Sequence, residues 1–458
     1  MTQADLIVCG SAVVTMNAER EILLDGGVAV RKDLIIAVGP ARDLRERWPH
    51  ARVLERPDSI VTPGLINVHQ HLTGDPLLRS CIPDRLPPGA SIRDWSLPLY
   101  ATHTPEHDEV AATVGALDCL RNGVTTVIEA GTVAHPARAA AGMHAAGIRG
   151  SVGTWGWDVP DVPFTADVPE VLARQRDVLE RFPAGGRVEG WVTLVGHDLA
   201  SDALLTAAAD LARDSGARMT MHLSPSAADP AAYLRRVGRR PVVHLDRFGV
   251  LGPHLLLSHA VWLDDEELDA LAGSGTSVAY CPWAYLRLGQ GVTGAGRHAE
   301  MSARGIPIGL GGDSANAGDH CDMLKAAALA AGLVRDTRTD PQIFGAHDAF
   351  EWATVTGAVA AGMGGRIGSL EPGKLADLVV HDAGRSGWPS AADPVLALVW
   401  GGDGRTVRDV VVGGEPVLRG GRSTRIDEPE LQERGRRVAA DTLAAAGIIV
   451  PSRWPLRR

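Results

Sequence analysis

The chain has 458 residues, 45% of them hydrophobic, and a formal net charge of −10. That length allows one large domain plus a smaller one, and the net charge argues against a nucleic-acid partner, which needs a clustered basic surface. No run of about 18 uninterrupted apolar residues occurs and the first residues show no basic region followed by an apolar stretch, so neither a membrane span nor a secretory signal is expected. Cys9, Cys81, Cys119, Cys281 and Cys321 are far apart and never form Cys-x-x-Cys, as free thiols of a reducing compartment would be. The expectation is a cytoplasmic protein.

In chain order, residues 5–56 alternate short β-type runs, such as Leu6–Cys9 and Leu34–Val38, with Gly, Asn and Asp turns. The pattern returns near the C-terminus in Ala376–Val380, Val395–Val399 and Val407–Val412. The two ends are therefore expected to pair into one small β-sandwich domain, residues 1–57 with 368–425. The middle, 58–367, alternates apolar strands with amphipathic helices, which signals a parallel β/α architecture. Its strands are Ile60–Val68, Val124–Ile128, Gly150–Thr154, Trp191–Val195, Arg218–His222, Leu255–His259, Ser277–Tyr280 and Ile306–Leu310. Helices such as Asp202–Ser215 and Asp265–Ser274 connect them. The fold class predicted is α/β, a (β/α)₈ barrel with the composite β domain, followed by a helix and tail at 426–458.

In such barrels the chemistry sits at the C-terminal strand ends. His69 and His71 close the first strand, and alternation along an extended chain projects both to one side, where two imidazoles can chelate a metal. The plainer reading is a polar pair where a strand meets solvent. His222 ends the fifth strand, His259 the sixth, and Asp313 follows Gly309-Leu310-Gly311-Gly312 after the eighth. Any one could be an ordinary core or surface side chain. Five at the strand ends of one barrel make coincidence a weak explanation, and imidazole with carboxylate suits zinc or non-haem iron.

The stretch Pro63-Gly64-Leu65-Ile66-Asn67-Val68-His69-Gln70-His71-Leu72 resembles the first-strand motif of the amidohydrolase superfamily. Ser258–Leu263 resembles its sixth-strand motif, Gly311–Ser314 its eighth, and Gly368–Val379 its re-entry into the β domain. The likeness covers nearly the whole chain and is nearest to the cytosine deaminase, guanine deaminase and s-triazine hydrolase branch. It implies one divalent metal ion, zinc or iron, held by His69, His71, His222 and Asp313. His259 would orient and help deprotonate the attacking water, with Asp313 as the proton acceptor. Binuclear members bridge two ions with a carboxylated lysine on strand 4, and this chain has no lysine between Lys32 and Lys325, so a mononuclear site is expected. The activity implied is hydrolysis of a C–N bond, foremost deamination of an N-heterocyclic or amidine-like small molecule by water. A cyclic amidase or dehalogenating hydrolase is the alternative, and a non-catalytic binding protein on the same fold a remote one.

Two departures bear on the substrate. Relatives carry a glutamate three residues after the strand-5 histidine, where this chain has Pro225; Ser224, His197 and Asp229 are the substitutes considered. His197, after strand 4, matches a position that contacts substrate in this branch. Where relatives show His-Asn-Pro after strand 7, this chain has Tyr280-Cys281-Pro282 followed by Trp283 and Tyr285. Trp95, Trp155, Trp283 and Tyr285 are therefore candidate substrate contacts for a flat, partly apolar ligand, against the plainer reading that such aromatics pack loop on barrel. A homo-oligomer is expected from the general habit of soluble enzymes.

Overall fold

The computed structural model describes residues 3–455 apart from 57, 75, 88, 319 and 385–391. The N-terminal part supplies β1 (Leu6–Val14), β2 (Ile22–Arg31), β3 (Leu34–Pro40), β4 (Arg52–Glu55) and β5 (Ser59–Pro63). The parallel strands of the middle follow: β6 (Leu65–Gln70), β7 (Val124–Glu129), β8 (Arg149–Val152), β9 (Val188–Gly190), β10 (Val192–Gly196), β11 (Met219–Leu223), β12 (Leu255–His259), β13 (Ser277–Tyr280) and β14 (Ile308–Leu310). The C-terminal part adds β15 (Leu378–Asp382), β16 (Val407–Val412), β17 (Glu415–Arg419) and β18 (Arg422–Ser423).

The two chain ends pair through one continuous nine-stranded hydrogen-bonded sheet, whose β3 also meets the chain just before β15 through a bridge between Leu34 and Leu375. The join is β5, which runs parallel to β1 on one side and antiparallel to β15 on the other. Ser59–Pro63 thus belongs to the terminal sheet, and the single strand expected over Ile60–Val68 is two. The break is at Gly64, whose N–H donates to Asp377 O while a Cβ there would sit 1.9 Å from Thr125 Oγ1. Only glycine lets the chain cross so close to β7. Val395–Val399, expected as a strand, is helical: Asp393 caps Val395 and Leu396 with its carboxylate and Pro394 opens the first turn. An apolar run of that length fits either state, and the cap decides it.

The parallel strands form a four-stranded sheet (β6 to β9) and a five-stranded one (β10 to β14). β9 and β10 are one course of chain interrupted at Trp191, whose N–H donates to Val152 O. On the other side β6 meets β14 through a parallel bridge between Gln70 and Asp313. Every residue of β6, β7, β11, β12 and β13 is buried, as strands covered on both faces must be. The covering helices include Pro105–Arg121, Asp202–Asp214, Asp265–Ser274 and Met323–Arg338. Asp264 and Glu267 make a reciprocal cap at the start of the third of these. The final helix, Glu428–Ala445, packs on Pro105–Arg121 and on the loop after β6, and His107 joins all three through Thr442 Oγ1 (2.7 Å) and Thr73 O (2.8 Å). Arg149 and Asp377, both buried, tie β8 to the terminal sheet by two hydrogen bonds of 2.6 and 3.1 Å. Among the described residues no helix is long and apolar enough to cross a membrane.

Candidate active site

The C-terminal ends of β6, β11, β12 and β14 bring His69, His71, His222, His259 and Asp313 together, all buried. The imidazole Nε2 atoms of His71 and His222 are 3.3 Å apart, and Asp313 Oδ1 lies 3.8 Å from His69 Nε2 and 3.5 Å from His71 Nε2. Donors around a four-coordinate ion with bonds of about 2.0–2.1 Å are roughly 3.3 Å apart. The spacing fits an ion held by these four residues. The outward nitrogens are already taken: His222 Nδ1 donates to Val195 O (2.7 Å), while His69 Nδ1 pairs with Ser258 Oγ (2.8 Å) and His71 Nδ1 with Thr132 Oγ1 (2.7 Å). Such outer partners orient a ligating ring and select its tautomer. His69 Nε2 is buried with no hydrogen-bond partner among the described residues, as a nitrogen meant for a metal would be.

Burial, reinforced by the neighbouring imidazoles, holds His69, His222 and His259 well below the usual histidine range. They are neutral, the form that ligates. His197 stacks on His222 with ring centroids 5.4 Å apart. Burial opposes its charging, but the Asp229 carboxylate, 2.7 Å from Nδ1, outweighs burial and the net shift is upward. Asp229 also accepts the Ser224 N–H, so one carboxylate ties the ends of β10 and β11.

The strand ends are locally strained. His197, Ser224, His259, Ala260 and Asp313 all have positive φ, between 51° and 81°, which non-glycine residues seldom adopt. Such outliers concentrate where a site must hold a particular geometry. At Asp313 the hold is visible: its N–H and that of Gly312 donate to His69 O, the Gln70 side chain donates to Asp313 O, and Asn67 bonds both Gly312 N and Gln70 Oε1. A Cβ at Gly312 would lie 2.4 Å from Gln70 Oε1.

The aromatic candidates divide. Tyr285 is buried edge-on to His259 (5.7 Å) and its hydroxyl accepts the Cys281 N–H. Trp283 sits over His320 with its indole N–H unpartnered among the described residues. Trp155, in contrast, is buried against Trp157, Phe164 and Tyr100, and Trp95 packs in the apolar lobe of Leu78, Cys81 and Ile82 under the last helix. Both pack against loop residues, and the Trp155 indole N–H, like that of Trp283, is buried without a hydrogen-bond partner among the described residues. A separate cluster, His103, His107 and Asp108, also groups possible ligand atoms. There the two rings stack at 3.9 Å, so their lone pairs run parallel and do not converge on one ion, and both His107 nitrogens are already bonded.

Sequence reasoning missed Ser258, Thr132, Gln70 and Asn67. The signal available was polar side chains inside otherwise apolar strand ends, a pattern that buried polar groups occupy only when paired.

The family model described as the amidohydrolase family matches residues 60–417. The chain belongs to that family. A shorter model, the imidazolonepropionase-like composite domain of bacteria, matches residues 26–51. A 5-methylthioadenosine/S-adenosylhomocysteine deaminase of Syntrophobacter fumaroxidans is 31% identical over 438 residues, 96% of this chain and 98% of that one. Among solved structures, a zinc-bound adenosine deaminase from Xanthomonas campestris is 27% identical with a TM-score of 0.91, covering 96% of this chain and 99% of its own. A zinc-bound atrazine chlorohydrolase from Arthrobacter aurescens, 23% identical over 96% of this chain and all of its own, shares the fold with a TM-score of 0.84. The amidohydrolase described here is a metal-dependent hydrolase of C–N bonds of the deaminase kind, on an α/β barrel with a smaller separate domain.

Proposed function

We propose that this amidohydrolase is a mononuclear zinc aminohydrolase, on a closed (β/α)₈ barrel, that releases ammonia from an amino-substituted N-heterocycle, an adenine-type base foremost. The observation that carries this is the gathering of the His69, His71 and His222 imidazoles and the Asp313 carboxylate at the strand ends, with Nε2 and Oδ1 separations of 3.3–3.8 Å. The deaminase likeness over 96% of the chain supports the leaving group. A bound divalent ion supplies water of much lowered pKa. His69, His71, His222 and Asp313 would hold that ion. Asp313 accepts the proton of the attacking water and passes it to the departing amine. His259, close to Asp313, orients the water and the oxygen of the product. Asp229 occupies Nδ1 of His197, leaving Nε2 as the ring's one atom for a substrate hydrogen bond. The reaction balances as amine and water in, carbonyl and ammonia out.

Pro225 favours a second reading, displacement of a leaving group that needs no proton, such as chloride. The two separate on a panel of adenosine, 5-methylthioadenosine, S-adenosylhomocysteine, aminotriazines and chlorotriazines assayed for ammonia and chloride. Ammonia from the purine nucleosides supports the proposal, and chloride release without ammonia overturns it. On the leading reading Asp313→Asn loses about 10²–10⁴-fold in kcat, the usual worth of a general base, while zinc stays bound. The enzyme is proposed to act on its small-molecule substrate in the cytoplasm, as a homo-oligomer.

A further inference from the structure

Cys281 directly follows β13 and is fully buried. Its Sγ, a ring nitrogen of His259 and a carboxylate oxygen of Asp313 all lie within 4.8 Å of one another. Asp313 is therefore common to two donor triads, this one and the one it makes with His69 and His71. The thiol reaches this position because residue 311 is glycine: a Cβ there would stand 2.6 Å from Cys281 Sγ. The Tyr285 hydroxyl accepts the Cys281 N–H and pins the turn. His259 is held in its left-handed backbone by His298, which donates to its carbonyl (2.6 Å), and His259 Nδ1 is buried without a hydrogen-bond partner among the described residues. The ring that lies within reach of this thiol and the shared carboxylate therefore carries a buried nitrogen with no protein partner among the described residues.

We propose that His259, Cys281 and Asp313 form a second cation subsite, with one imidazole, one thiolate and one carboxylate, that takes a soft or borderline divalent ion as a second equivalent. Thiolate donors select such ions. Bond lengths of about 2.3 Å to sulfur and 2.0 Å to nitrogen and oxygen require donors that now lie within 4.8 Å of one another to draw in on the ion. Binding replaces the thiol proton by the ion and releases that proton to solvent. The subsite differs from a lysine-bridged pair, since no lysine lies between Lys32 and Lys325. It engages His259 and Asp313 together, so an ion there takes both from the water, and excess metal inhibits. The inference rests on the proposed first site, and the two equivalents report on the two readings separately.

The test adds Co²⁺ or Cd²⁺ to the zinc-loaded enzyme and follows bound metal per chain together with the near-ultraviolet absorption. The expected result is a sulfur-to-metal charge-transfer band that grows only as the second equivalent binds. Cys281→Ser and Cys281→Ala abolish the band and weaken the second equivalent by more than the ~10–100-fold that loss of an outer-shell partner costs. Retention of the first equivalent in either variant shows that it is folded. A second equivalent that binds without the band, a band that survives in both variants, or a stoichiometry that stops at one overturns the proposal, and none of these touches the first site. If neither variant folds, the wild-type spectrum decides alone, with absence of the band refuting it.

Discussion

Gln70 offers a way to separate holding Asp313 in place from holding a metal. Asp313 has φ of 60°, a conformation costing about 1–2 kcal/mol for a residue with a Cβ. Its N–H is secured by His69 O and its carbonyl by the Gln70 amide. Gln70→Met keeps the length of the side chain and removes both amide atoms, leaving Asp313 O and Asn67 Nδ2 without that partner. A buried polar group left unpaired costs about 1–3 kcal/mol. If Asp313 relaxes to recover a bond for its carbonyl, the aligned carboxylate becomes rarer by between about fivefold and about 150-fold. The expected outcome is a kcat lower by that factor at saturating zinc, with KM changed by less than about twofold because the lost interaction touches no substrate. Steady-state kinetics on the best ammonia-releasing substrate, paired with zinc per chain, provide the assay. An unchanged kcat at full zinc occupancy refutes the reasoning. So does a fall that disappears when activity is expressed per bound zinc, since Gln70 would then support coordination alone.

Glu129 is fully buried at the end of β7, and burial pushes its carboxyl up to about 8. A carboxyl raised on folding contributes stability that is whole below the unfolded value near 4.5 and is lost as pH rises through about 8. Thermal midpoints of the native enzyme should fall across that window more steeply than those of Glu129→Gln, and parallel curves would contradict the assignment. Asp377→Asn strands the buried Arg149 guanidinium between the barrel and the terminal sheet, at an expected cost of about 3–5 kcal/mol in urea unfolding; a loss under about 1 kcal/mol would show that water or Glu189 compensates. Chelator removal of the metal should abolish ammonia release and lower the melting temperature, and zinc at a hundredfold its Kd should restore about 2.7 kcal/mol.

The order of parallel strands and the helices at 202–214 and 265–274 were legible because apolar runs of strand length alternate with helical periodicity over the whole middle. The five polar residues that the structure gathers, His69, His71, His222, His259 and Asp313, were legible for a related reason: each ends or closely follows an apolar run of strand length. What stayed hidden depended on contacts between distant segments. Pro63-Gly64 is a local break in the apolar run, but that the chain there changes sheets and crosses against Thr125, sixty-one residues on, is not carried by local propensity. The run at Val395–Val399 was decided by an Asp-Pro cap. The packing of Trp95 under the last helix and of Trp155 against Tyr100 likewise depends on segments distant in sequence.

The proton inventory of the site narrows what can replace the missing acid at Pro225. His222 is committed to its Nδ1–H form by Val195 O, and hydroxyl partners engage His69 and His71 in the same place. On the proposed reading the inner nitrogens of these three rings would hold the ion, which would leave the catalytic proton to other groups. Ser224 lies at the right point in the chain, but its hydroxyl is buried without a partner among the described residues and leads to no acid. Asp229 is occupied twice over, by His197 Nδ1 and Ser224 N. That leaves Asp313, next to His69 and His71, and His197, the histidine in the cluster whose affinity for a proton is raised. On the proposed reading, a heterocycle that needs its ring nitrogen protonated must meet one of these two, Asp313 after β14 or His197 after β10.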